Sequence, residues 1–62
     1  MTHYSLEKLY NGTYQLVHAS WDLPKLIEEF TERVNGKQKH YNHRIVKIGS
    51  TRPLLFYNAS NL

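Results

Sequence analysis

The sequence contains no cysteine, which excludes disulfides and thiolate metal sites in a size class where such staples are common. At 62 residues, folding removes only about 60% of the surface that the unfolded chain exposes. Stability must therefore come from a well-filled apolar core or from burial against another molecule. Glycine is sparse and scattered at Gly12, Gly36 and Gly49, so no glycine-rich loop is present to cradle a phosphate. No stretch approaches the roughly 20 apolar residues of a membrane-spanning helix. The opening residues, Met1-Thr2-His3-Tyr4-Ser5-Leu6-Glu7, lack the basic and then apolar regions of a secretory leader. Together with the missing cysteine, this sets a cytoplasmic expectation. The triplets Asn11-Gly12-Thr13 and Asn58-Ala59-Ser60 are accordingly read as chance matches to a glycosylation acceptor.

Acid is missing from the second half of the chain. Residues 1–34 set Lys8, Lys25 and Arg33 against Glu7, Asp22, Glu28, Glu29 and Glu32, a net of −2. Residues 35–62 carry Lys37, Lys39, Arg44, Lys47 and Arg52 and no acid, a net of +5, which gives the whole chain +3. Such asymmetry marks either a face for an anionic partner or two halves that neutralise each other in the fold.

What is present points to a single α+β domain without linkers or repeats. Leu23, Leu26, Ile27, Phe30 and Val34 recur at three- and four-residue spacing and form one apolar stripe. Asp22 is placed to cap that helix, Pro24 fits its first turn, and Asn35-Gly36 offers a left-handed stop. The spacing predicts a helix over about 22–35. Before it, Asn11-Gly12 signals a hairpin over about 4–19. A three-residue loop with Gly12 as a left-handed bulge would pair Leu6 with Leu16 and gather Tyr4, Leu6, Tyr14 and Leu16 on one face. A two-residue turn would instead pair Leu9 with Tyr14 and Glu7 with Leu16, so the bulged loop is preferred. A short helix over residues 5–10 is the competing local reading. After the helix come a basic loop, 36–43, a second hairpin over about 44–57 with Pro53 opening its last strand, and a polar tail, 58–62, expected to fray. The expected plan is β-β-α-β-β, one amphipathic helix packed on one face of a small antiparallel sheet.

The chemistry is mostly absence. His40 and His43 lie three apart, but on a loop with no acid nearby in sequence, and zinc sites want three or four ligands. Ser20, Ser50 and Thr51 cannot be set beside a base and an orienting group by any spacing argument. Glu28, Glu29 and Glu32 suit a solvated helix face. No catalytic residue, cofactor, metal or small-molecule substrate is read from the chain.

Two binding surfaces are legible. One helix covers one sheet face, and if Val46, Ile48, Leu54 and Phe56 point towards it, Ile45, Leu55 and Tyr57 lie uncovered on the other. With Tyr41 and Arg52 these form the expected contact surface for a protein partner or a second copy, as in a small regulator or inhibitor. The alternative is nucleic acid, bound within 37–52 by Lys37, Lys39, His40, His43, Arg44 and Lys47, with Tyr41 as a stacking platform.

Overall fold

The computed structural model describes residues 2–59. Its elements are β1 (Tyr4–Tyr10), β2 (Thr13–Ser20), α1 (Leu23–Val34), β3 (His43–Lys47) and β4 (Pro53–Tyr57). They form a four-stranded antiparallel sheet in the order β2-β1-β3-β4, with α1 on one face. Because β1 runs against both β2 and β3, those two strands are parallel, and α1 is the crossover between them. Residues 5–10 are strand, not helix; the sheet gives their backbone groups partners on both sides, which one isolated helical turn or two could not match.

The helix follows from its sequence signals. Asp22 Oδ1 accepts from the Lys25 N–H at 3.2 Å, and Pro24 lies in the first turn. Leu26 and Phe30 are fully packed, Leu23 and Val34 flank them, and Ile27 lies at the margin of the stripe, 37% exposed. The stop differs from expectation. Asn35 stays right-handed (φ −96°, ψ −2°), and its N–H bonds to the Thr31 carbonyl. Gly36 has no positive φ; a Cβ there would lie 3.0 Å from the Glu32 carbonyl oxygen, so its small size allows close approach to the last turn.

The first hairpin also corrects the preferred reading. Asn11 (φ 53°) and Gly12 (φ 80°) are both left-handed, the signature of a two-residue type I′ turn. Leu9 therefore pairs with Tyr14 and Glu7 with Leu16. The register then jumps, Leu6 pairing with His18, so Val17 is an extra residue in a bulge. The bulge reconciles the turn with the core: Leu6 faces the helix while Tyr14 and Leu16 face away.

The core is Leu6, Leu26, Phe30 and Ile45, with Tyr4, Val17, Leu23, Val34, Leu55 and Tyr57 packed around it. Of the tail expected to fray, Ala59 is held by a bond from its N–H to Asn42 Oδ1 at 2.9 Å; residues 60–62 lie outside the described residues.

Candidate interaction surfaces

Residues paired across an antiparallel ladder share a face, so the register lays out the sheet surface opposite the helix. One row reads Leu16, Glu7, Arg44, Phe56 across β2, β1, β3 and β4. A second reads Ala19, Ser5, Val46, Pro53. At the centre, Arg44 Nε donates to Glu7 Oε1 at 2.6 Å. Ser5 Oγ donates to Glu7 Oε2 at 3.2 Å, and the Arg44 guanidinium stacks 3.8 Å from the Tyr14 ring centroid. Glu7 and Arg44 cancel each other's charge, and both carboxylate oxygens are engaged. On either flank Leu16 and Phe56 are 64% and 51% exposed. This face is neutral and partly closed at its centre, where Ser5 and Val46 are buried, and apolar at its exposed sides.

The expected contact set is not on it. Ile45 is fully buried against the helix side, and Leu55 and Tyr57 pack on the same core. Tyr41 and Arg52 precede β3 and β4 respectively, so they sit at opposite ends of the sheet. The parity of β3 is reversed from the expectation, and its ionisable residues explain why. One alternating set holds His43 and Ile45, the other Arg44 and Val46, so hydrophobicity alone does not choose. A neutral imidazole can be buried when both ring nitrogens are bonded. An arginine is far costlier to bury away from water. Arg44 therefore takes the open face beside Glu7, and His43 the interior.

Comparison with family models, curated proteins and solved structures finds no match to this chain.

The seven residues of the nucleic-acid alternative are divided among four places. Lys37, Lys39 and His40 are exposed on the successive turns that follow α1, with Tyr41 half-buried beside them. Arg44 is spent on Glu7. Lys47 is exposed at the far end of β3. His43 is fully buried. Its Nδ1–H donates to the Tyr41 carbonyl at 2.8 Å, and its Nε2 accepts from Arg33 Nε at 3.1 Å. Both nitrogens are thus occupied, which separates it chemically from His40. Among the described residues no three His, Asp or Glu side chains converge to hold a metal ion.

The turn end of the sheet gathers further residues that sequence spacing does not connect. Lys8 of β1 lies 4.5 Å from the Tyr41 ring centroid and 5.4 Å from that of Tyr10. The Tyr10 and Tyr41 rings are 6.0 Å apart and tilted by 49°. Lys8 Nζ and Arg33 Nη2 each donate to Gln38 Oε1 at 3.3 Å. The available signal was the Asn11-Gly12 turn, which in its two-residue form brings Lys8 and Tyr10 to this end. Along the helix, from its cap to its last turn, His18, Ser20, Asp22, Lys25, Glu28, Glu29 and Glu32 line an open, mainly acidic recess between β2 and α1.

Proposed function

We propose that this is a small non-catalytic binding protein that self-associates through its open sheet face. The observation that carries the reading is the row Leu16, Glu7, Arg44, Phe56. It runs apolar, acidic, basic, apolar, and its order suits two-fold symmetry. Consider a two-fold axis parallel to the strands and midway between β1 and β3. It sets Leu16 against the second copy's Phe56 and Glu7 against the second copy's Arg44. Such an isologous, self-complementary patch is what the commonest class of oligomer uses. Two sheets packed face to face at about 10 Å would bury both apolar flanks. A standard interface needs about 800 Å² from each partner, less than a fifth of the 4418 Å² exposed by the described residues. The core of this domain is small, so burial of that face would also add stability that the fold needs.

Sedimentation velocity at micromolar concentration tests the reading. The wild type is expected to sediment as a dimer, and Phe56→Lys or Leu16→Lys as folded monomers with unchanged far-ultraviolet circular dichroism. A wild type that stays monomeric at the highest soluble concentration would rule out self-association through this face.

A further inference from the structure

Lys8, Arg33, Lys37, Lys39 and His40 come from β1, α1 and the turns after it, and they crowd one end of the molecule. Among the described residues no carboxylate lies within ion-pair distance of this group; the close carboxylate contacts are elsewhere, His18 with Glu29 and Arg44 with Glu7. Instead, Lys8 and Arg33 converge on one neutral oxygen, Gln38 Oε1. An amide oxygen satisfies donors but cancels no charge, and an anionic oxygen at that point would make stronger, charge-assisted bonds. Burial is the main cause that holds the pKa of the neighbouring His43 down, and the charges of Arg33 and Lys8 add to it. The surface is also held in place. Tyr57 Oη donates to the Lys39 carbonyl at 2.7 Å, the Leu9 N–H to the Asn42 carbonyl at 2.9 Å, and the Tyr41 N–H to the Gln38 carbonyl at 3.1 Å. Beside the cations, Tyr10 is 42% exposed.

We propose that this end is a binding site for single-stranded nucleic acid, with one phosphate displacing Gln38 Oε1 from between Lys8 and Arg33. Lys37, Lys39 and His40 contact the flanking phosphates, and a base stacks on Tyr10. This combination of fixed cations and an adjacent aromatic ring is how single strands are held without sequence readout. A duplex fits poorly. The helix that would have to enter a groove presents Glu28, Glu29 and Glu32, and the acidic recess that runs along it repels a second phosphate chain. The residue set differs from the segment 37–52: His43, Arg44 and Lys47 drop out, Tyr10 replaces Tyr41 as the stacking ring, and Lys8 and Arg33 enter.

Fluorescence anisotropy with labelled oligothymidylate and oligouridylate of about 12 nucleotides, titrated at low and rising salt, tests the site. Lys8→Gln and Lys39→Gln are each expected to weaken binding several-fold and to reduce the salt slope by about one. Tyr10→Leu is expected to weaken it about tenfold. Lys25→Gln and Lys47→Gln, which remove equal charge elsewhere, should bind as the wild type does. Because Lys39 is exposed, its variant remains informative if Lys8→Gln proves unstable by circular dichroism. The proposal is overturned by any of four results: no binding at low salt, an equal loss in the two control variants, a duplex bound as tightly as the single strand, or inorganic phosphate that raises the melting temperature while the oligonucleotides do not bind. The Phe56→Lys variant should retain oligonucleotide binding, which keeps this outcome separate from that of the sheet face.

Discussion

His43 shows how much of the fold can rest on the protonation state of a single side chain. Its ring lies near Phe30 and Tyr57, with centroids at 6.4 and 6.5 Å, and its two nitrogens are committed to the Tyr41 carbonyl and Arg33. A carbonyl only accepts, so Nδ1 carries the proton and Nε2 must stay bare to receive the Arg33 N–H. Burial is the main force holding its pKa below the ordinary 6.5, and the positive charges of Arg33 and Lys8 add to it, against the opposing bond to Tyr41. In the unfolded chain the imidazole titrates normally. Between its lowered folded pKa and 6.5, the unfolded state therefore binds a proton that the folded state does not, and stability falls as pH falls. Below the folded pKa both states are protonated and the loss is complete. Urea unfolding across this range, above the region where carboxylates titrate, should show a midpoint that drops on mild acidification and levels off above neutrality. His43→Gln should flatten that dependence, and a wild-type midpoint constant through the mildly acidic range would contradict the account.

At the scale of elements, the first hairpin depends on two devices, the left-handed Asn11-Gly12 turn and the Val17 bulge. Gly12→Ala places a Cβ on a φ of 80° with nothing within 4 Å to clash, so its cost is conformational, about 1–2 kcal/mol. Chemical denaturation should show that loss without a change in the slope against denaturant. A Gly12→Ala variant as stable as the wild type would mean that the turn relaxes to another form. These devices also explain what could be read from the sequence. The helix was legible because its cap, stripe and Pro24 agree, and β2, β3 and β4 were legible from β-branched and aromatic runs between turn residues, whereas the residues of β1 also suited a short helix. Side-chain parity was not. β1 and β2 carry apolar residues on both alternating sets, and an extra residue at Val17 switches which set of β2 faces the core. In β3 the choice fell to Arg44 and His43, whose partners Glu7 and Arg33 are distant in sequence. The candidate sites follow the same divide: Lys37, Lys39, His40 and Tyr41 are contiguous and were visible together, whereas Lys8, Tyr10 and Arg33 join them only through the register.

Viewed whole, the molecule separates its charge unevenly. Asp22, Glu28, Glu29 and Glu32 line the recess along α1, and Lys8, Arg33, Lys37, Lys39 and His40 lie where the helix ends, while Lys47 and Arg52 stand at the far end of the sheet. The neutral row with Leu16 and Phe56 lies on the sheet between these ends. A dimer formed on that row about an axis parallel to the strands would keep both basic ends on one side of the assembly, because rotation about that axis preserves strand direction. Two phosphate-binding ends would then face one strand, and avidity would follow without new contacts. The central placement of β1 has a further consequence, for the order of assembly. Its ladder with β2 closes through a tight turn and can form in roughly 1–10 μs. Its ladder with β3 joins Glu7 to Arg44 across 37 positions and must wait for a far longer loop to close. Folding is therefore expected to be gated by the arrival of β3, so Ile45→Val should slow refolding more than it speeds unfolding. The opposite kinetic pattern in stopped-flow measurements would place β3 after the barrier.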